Sequence, residues 1–232
     1  MDGETNALPT ARHSRGSREE LATAALRRYR NGGFTAVSFR QIARDTGISH
    51  MQPYRFFRNK ADLLAAMRCQ CFRELLDVIC QADRPEDVPV ARLYAITTGA
   101  FTHLFARPAD YRLMFAMNQP SPREFPELLD ARQRVYDHLR SVVQAGVDRG
   151  ELHGDPDDVL HLAWAVSHGL FTLHVSEQLI HGRALDALIQ PALNVMFAPF
   201  RDPEDVQSLR DAARRLPDSP IQKEDSDEQP DA

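Results

Sequence analysis

Residues 38–60 read "SFRQIARDTGISHMQPYRFFRNK" and contain the start signals of two short helices. A serine followed three residues later by glutamine occurs at Ser38 and again at Ser49. This spacing is a capping box, in which the two side chains cap backbone N–H groups at the start of a helix. Gly47 lies between the boxes and suits the left-handed residue that ends a helix. Two short helices joined by a tight glycine turn form a helix-turn-helix, and we predict this fold for the stretch.

The second of these helices contains a proline, a residue that normally interrupts helices. If Ser49 is the N-cap, Pro53 is the fourth helical residue, and its missing N–H group would have bonded only the Ser49 carbonyl. The cost should therefore be well below the roughly 3 kcal/mol of a proline in mid-helix. Because proline disfavours helical geometry at the residue before it, we expect a distorted or 3₁₀-like first turn.

The charge of the chain is distributed unevenly. Residues 1–60 hold 11 basic and 5 acidic residues, a net of +6, whereas the remaining 172 hold 17 basic and 28 acidic residues, a net of −11. An acidic chain with a basic front end is typical of a protein whose front end meets a polyanion. Since the second helix of a helix-turn-helix enters the major groove, we predict double-stranded DNA as the partner.

The predicted DNA contacts are of two kinds. Gln52 can form a bidentate pair with adenine, and Met51 or Pro53 can touch a thymine methyl group. Tyr54, Arg55 and Lys60 suit phosphates, which fix position rather than sequence. A three-helix bundle with a merely solvated basic face would show a similar pattern. The candidate DNA contacts are Ser38, Arg40, Ser49, His50, Met51, Gln52, Tyr54, Arg55 and Lys60.

Residues 17–67 resemble the DNA-binding domain of the TetR family of bacterial transcriptional regulators. Arg28 departs from the family pattern, which usually has an apolar residue there, and Pro53 is more often leucine, although a "Pro-Tyr-Arg" subgroup exists. The resemblance implies a homodimer that binds DNA and responds to a small molecule. The matched elements are Ala24-Ala25, Gly33-Phe34, "SFRQIARDTGIS", and Tyr54-Arg55-x-Phe57-x-x-Lys60 followed by Leu63-Leu64.

The rest of the chain is also predicted to be helical, because helical spacing of apolar residues dominates and no period-2 stretch is sustained. Ser17 and Asn59 supply further N-cap signals, and prolines separate the later helices. We predict helices at about 17–31, 38–46, 49–56, 60–81, 89–105, 108–117, 124–149, 156–181 and 184–199.

The C-terminal part carries a second resemblance. "PADYRLMF" (108–115) and the pattern of Trp164, His168 and Gly169 resemble the C-terminal domain of a Trp–His–Gly subgroup of the same family. This implies an all-helical regulatory domain with a ligand cavity and a two-helix dimer face. The wide apolar stripe of the helix at 184–199 also favours burial against a partner, and two helices from each subunit would form a two-fold symmetric interface.

The effector of such a domain is an unknown small molecule, and its contacts are sought among aromatic and methionine side chains. These residue types are typical of apolar ligand pockets, but they are equally typical of helical cores. The candidate ligand contacts are Tyr94, Phe101, Leu104, Tyr111, Met114, Phe115, Trp164 and His168.

Other functional classes find little support in the sequence. The histidines on the helix at 156–181 do not converge, so we predict no metal and no cofactor. No nucleophile elbow or phosphate loop occurs, so we predict no enzyme. Cys69, Cys71 and Cys80 are expected to be reduced thiols, with a redox sensor as the alternative. The chain has neither a secretion signal nor the roughly 18-residue apolar run of a spanning helix, so a cytoplasmic protein without a membrane partner is expected.

Together these patterns predict an all-α chain of two domains. The helix-turn-helix domain covers 17–62, and a regulatory, ligand-binding and dimerisation domain covers 63–202. A disordered arm at 1–16 precedes them, and a helix remnant with an acidic disordered tail at 203–232 follows. The predicted function is a homodimeric transcriptional repressor that binds a palindromic operator and is released by a ligand. The alternative is a ligand-independent DNA-binding module that acts through protein partners.

Overall fold

The computed structural model describes residues 16–115, 120–179, 182–202 and 204. Within those residues every regular element is a helix, which confirms the all-α prediction. The predicted tail and nearly all of the predicted N-terminal arm lie outside the described residues. The α-helices of the described chain are α1 Arg18–Gly32, α2 Phe39–Thr46, α3 Pro53–Phe56, α4 Lys60–Ala82, α5 Pro89–Phe105, α6 Pro108–Phe115, α7 Pro126–Asp148, α8 Pro156–Val175 and α9 Asp186–Phe197.

The chain divides into two compact units that do not follow the predicted domain boundary after residue 62. The first unit holds the described residues up to Arg84 together with Ala95–His138. The second holds Pro85–Tyr94 and the described residues from Leu139 onward. The helix-turn-helix therefore belongs to the same unit as α4, α6 and the first half of α7.

The core of the first unit is built around α1 and α4. Buried α1 side chains such as Leu21 and Ala25 lie four residues apart, so they share one face. Leu63 and Met67 repeat this spacing on the buried face of α4. Helix α1 packs against α2, α4 and α6, and its alanines allow close approach. This packing gives the short helices a fixed platform.

Asp62 ties the end of α3 to α1 and α4. Its Oδ1 accepts a hydrogen bond of 2.9 Å from Arg18, and its Oδ2 accepts one of 3.1 Å from the Arg58 backbone N–H. Arg18 also donates to the Phe56 carbonyl at 2.8 Å and lies over the Phe57 ring, 4.7 Å from its centroid. Burial raises the pKa of Asp62, but the bonds from Arg18 and Arg58 outweigh it and hold this pKa below its usual range.

In the second unit, α8 packs against α9. Pro191 lies inside α9, where it cannot donate to the helix, and the buried side chains Leu193, Met196 and Phe197 follow it. The turn after α9 is held by the backbone of His153, which donates to the Phe200 carbonyl at 2.7 Å. The end of α9 is therefore fixed both by packing and by this hydrogen bond.

We expect Asp62→Asn to lower the free energy of unfolding by about 1–3 kcal/mol at pH 7, because Arg18 loses a buried charged partner. A carboxylate whose pKa is lower in the folded chain than in the unfolded chain stabilises the fold fully above about pH 3.9, its pKa in the unfolded chain. This stabilisation is lost as the pH falls through the lower pKa of the folded state. The difference in urea unfolding between wild type and variant should therefore be constant near neutral pH and should shrink as the pH falls below about 4.

The matched control is Asp130→Asn, which removes an exposed i,i+4 pair with Arg134 on α7. Such a pair contributes about 0–1 kcal/mol, so this variant should unfold almost like the wild type. Equal effects of the two substitutions, or a difference that does not shrink below about pH 4, would contradict the role of Asp62.

Candidate nucleic-acid interface

The first helix of the helix-turn-helix has the predicted boundaries. Ser38 caps α2, since its Oγ accepts the Gln41 N–H at 3.3 Å. Gly47 has φ 68° and ψ 30°, the left-handed region that favours glycine. The N–H of Ile48 bonds the Ala43 carbonyl at 3.0 Å, which is the long bond of a Schellman motif. The turn thus directs the chain sharply from α2 towards α3.

The second helix begins later than predicted. The prediction that Ser49 is its N-cap is wrong, because α3 begins at Pro53 and the N-cap position is Gln52. The Gln52 N–H bonds the Ser49 carbonyl at 3.0 Å, and the Arg55 N–H bonds the Gln52 carbonyl at 3.1 Å, so the entry has the expected 3₁₀-type bonding. Pro53 is at the first helical position, where its missing N–H costs nothing. Gln52 keeps helical dihedrals, φ −65° and ψ −37°, contrary to expectation.

Aromatic packing holds α3 in place. Pro53 and Phe57 are buried, so the proline ring packs inward. The Phe39 ring of α2 lies 4.7 Å from the Tyr54 ring and 6.2 Å from the Phe57 ring, between centroids. Tyr54 is nonetheless exposed, so one face of its ring packs while its hydroxyl group can reach a ligand.

The predicted DNA contacts are mostly accessible. Gln52 is half-buried, and a Cβ added at Gly16 would lie 2.4 Å from its Nε2, so the chain before α1 covers part of this side chain. The Lys60 ammonium group lies 3.4 Å from the Phe34 carbonyl. The exposed candidates are Ser38, Arg40, Ser49, His50, Met51, Tyr54, Arg55 and Lys60.

The structure gives a reason for the basic residue at position 28. The Arg28 guanidinium pairs with both carboxylate oxygens of Asp45, at 2.5 and 2.8 Å. The hydrogen bond from Arg28 holds the pKa of Asp45 below its usual range. Arg28 therefore fixes α2 against α1 by an ion pair at a position where an apolar residue would do so by packing.

A second ion pair, which the sequence did not suggest, joins α1 to α6. Arg30 binds the two carboxylate oxygens of Asp110 at 2.8 and 2.7 Å and also reaches Glu74 at 2.5 Å. Asp110 is 1% exposed. The bond to Asp110 raises the pKa of Arg30 more than burial lowers it. The sequence feature that could have indicated this ion pair is Asp110, the lone acidic residue of α6.

The predicted ligand contacts divide between the two units. In the first, Phe101, Leu104, Tyr111 and Met114 are buried, and the rings of Tyr111 and Phe115 lie 5.1 Å apart. In the second, Tyr94 packs on Phe197 at 5.6 Å, while Trp164 is 49% exposed and lies 5.8 Å from His168, between ring centroids. Their role in ligand binding stays a prediction.

The cysteines and possible metal ligands form no evident reactive centre. Burial raises the pKa of Cys69 and Cys71, so both favour the thiol. Cys80 is exposed, and its Sγ lies 3.9 Å from His138 Nδ1.

Across the ranges that the structure covers, no three potential ligands cluster as a metal site. None of the helices described is long and apolar enough to cross a membrane.

Two family models match the chain, one for each part of this architecture. Residues 21–67 match the model described as bacterial regulatory proteins of the tetR family. Residues 93–196 match the model described as the tetracyclin repressor-like C-terminal domain. The chain belongs to the TetR family. Members of this family are DNA-binding regulators without enzymatic activity, in agreement with the predictions. The Trp–His–Gly subgroup stays a prediction.

Solved structures share the TetR fold. A Rhodococcus sp. RHA1 protein of unknown function is 23% identical and covers 83% of this chain and 100% of its own, with a TM-score of 0.68. Bacillus subtilis FadR, solved with stearoyl-CoA, is 14% identical over 78% and 98%, with a TM-score of 0.63. SmeT, the repressor of the Stenotrophomonas maltophilia efflux pump SmeDEF, is 20% identical over 82% and 92%, with a TM-score of 0.60. None of the curated proteins compared with the chain matches it.

We expect Tyr54→Phe to weaken binding to all DNA sequences by about fivefold, because the variant loses a hydroxyl donor to phosphate. The ring contact with Phe39 remains, so the free energy of unfolding should change by less than about 0.5 kcal/mol. Fluorescence anisotropy with labelled duplexes measures the affinity. Tyr29→Phe, at a buried tyrosine of α1, is the control and should bind DNA like the wild type. Equal affinity of Tyr54→Phe and wild type would remove Tyr54 from the interface.

Proposed function

We propose that this TetR family chain is a repressor that binds a palindromic operator as a homodimer and releases it when a small molecule binds the C-terminal domain. It acts in the bacterial cytoplasm. The observation that carries the proposal is the ion pair between Arg30 and buried Asp110, which joins the DNA-binding helices to α6 of the regulatory part. The printed description of SmeT as a repressor and the stearoyl-CoA complex of FadR support it by analogy.

The exposed side chains around α3 support operator reading. Met51 and His50 lie on the entry to the recognition helix and can approach base edges. Tyr54, Arg55 and Lys60 can hold phosphates on either side. The net charge of +6 over residues 1–60 favours DNA at long range as well.

The apolar surface of the second unit supports a homodimer. Leu162, Trp164, Leu173 and Val195 are exposed large hydrophobic side chains on α8 and α9. Exposed large apolar side chains on two helices that pack together favour a protein interface in this unit. A two-fold dimer would also supply two recognition helices for half-sites about 34–36 Å apart.

The proposed coupling between ligand binding and operator release follows from the contacts that hold α1. A ligand that moves α6 shifts Asp110, and Asp110 holds Arg30 of α1 through two hydrogen bonds. Helix α1 in turn positions α3 through Arg18. An allosteric coupling of about 1–3 kcal/mol would loosen operator binding by about 5- to 150-fold.

We expect Lys60→Ala and Gln52→Ala to weaken DNA binding in different ways. Loss of a phosphate contact at Lys60 should weaken binding to all DNA sequences alike. It should also reduce the slope of log K against log salt concentration by about one. Loss of a base contact at Gln52 should relax the preference at one operator position. Selection from random duplexes defines the operator, and titrations at several salt concentrations measure both effects. If both variants lose only sequence preference, these contact assignments are wrong.

We expect Val195→Glu to abolish the homodimer, because it places a charge on the 61% exposed apolar position of α9. Sedimentation should show a monomer whose operator affinity falls by about 100-fold or more, since both half-sites no longer bind together. Val88→Glu, at an exposed valine outside α8 and α9, is the control and should remain dimeric. A wild type that sediments as a monomer would instead favour a module acting through another protein.

A further inference from the structure

Arg68 on α4 is a buried charge without an acidic partner among the residues that the structure describes. It is 4% exposed, and its Nη1 and Nη2 donate to the carbonyls of Pro120 at 3.1 Å and Met114 at 3.3 Å. Its Nε is buried and has no hydrogen-bond partner among the described residues. A buried donor left unpaired costs about 1–3 kcal/mol, and more on a charged group, so this atom needs an explanation.

A second arginine lies in the same region. Arg132 of α7 is half-buried, and its guanidinium carbon lies 5.4 Å from the centroid of the Phe72 ring. Phe72 is one helical turn after Arg68 on α4. Within the described residues neither arginine is in ion-pair contact with a carboxylate. Burial, and then the charge of Arg132, lowers the pKa of Arg68 to about 10. Two cations therefore repel each other in a partly dry site to which the described part of the chain supplies no counter-charge.

The surroundings of the two arginines are apolar. The Phe72 and Phe115 rings meet edge to face at 5.7 Å, and Met114 is buried beside them. A ligand that fits must therefore combine an anionic end with an apolar body. The free donors select the shape of the anion. Arg68 offers its Nε–H, and Arg132 offers its planar fork, so an anion with two oxygens can bridge them.

We propose that Arg68 and Arg132 form an anion subsite that binds the carboxylate of an amphipathic organic acid, and that this acid is the class to which the effector belongs. The inference rests on the proposed function, because it names the chemistry of that effector. One carboxylate oxygen accepts from Arg68 Nε and the other from Arg132, while the apolar body lies against Phe72 and Phe115.

Matched pairs of a carboxylic acid and its primary amide test the charge requirement directly. Decanoate with decanamide and 4-phenylbutyrate with 4-phenylbutanamide keep the apolar body and remove the charge. Isothermal titration of the full-length protein should show that at least one acid binds about tenfold or more tightly than its amide. Equal binding within both pairs, or no binding of either acid, overturns the proposal.

Variants locate the site. Arg132→Gln, at the less buried arginine, should remove the preference for the acid while leaving amide binding unchanged. Arg68→Lys should reduce the preference, because lysine keeps the charge but lacks the Nε–H group in its fork. Arg73→Gln changes an exposed arginine of α4 and should behave as the wild type. A preference that survives in Arg132→Gln overturns the assignment, whether or not the Arg68 variant folds.

The same ligands separate the subsite from the proposed function. Operator release is followed by anisotropy with the duplex found by selection. An acid that binds through Arg132 but releases no DNA supports the subsite and contradicts the repressor mechanism. Release by the amides with the same potency as by the acids supports the mechanism and overturns the subsite.

Discussion

A helix of four residues cannot hold itself in place. Helix α3 is far shorter than the roughly 12–15 residues that an isolated helix needs in water, so its position depends on what packs around it. The buried side chains of Pro53 and Phe57 pack α3 against the core, and Arg18 donates to the carbonyl of its last residue, Phe56. Asp62 holds Arg18 in that position. The recognition surface is therefore only as well ordered as this buried ion pair.

Helix α1 acts as a strut between two such ion pairs. Arg18 near its start binds Asp62, and Arg30 near its end binds Asp110 of α6. The two arginines are 12 positions apart, which is about 18 Å along a helix. Both acidic partners are buried, so a shift of α1 would weaken the charge pairing of Asp62 and Asp110. A displacement of α6 would therefore act on α1 through Arg30, and on α3 through Arg18.

Local signals in the sequence predicted the helix starts, whereas distant pairings could not be predicted from it. Ser38 and Asn59 cap their helices as expected, because a capping box involves only neighbouring residues. The same signal failed at Ser49, since proline at position 53 set the start of α3 by its own preference for the first turn. The partners Arg30 and Asp110 are 80 residues apart, and no local pattern connects them. Likewise, an aromatic spacing cannot distinguish a ligand contact from a core residue.

The buried charges of the first unit show how its helices are joined. Asp62 and Asp110 each have an arginine partner, whereas the described residues offer Arg68 two carbonyl groups, whose partial charges compensate it less well. One of these carbonyls belongs to Met114, so α6 is held by Arg68 of α4 at one point and by Arg30 of α1 at another. An anion at Arg68 Nε would neutralise the guanidinium group whose Nη2 holds the Met114 carbonyl of α6. Because α6 also holds α1 through Asp110 and Arg30, a change at Arg68 would reach α1 through α6 alone.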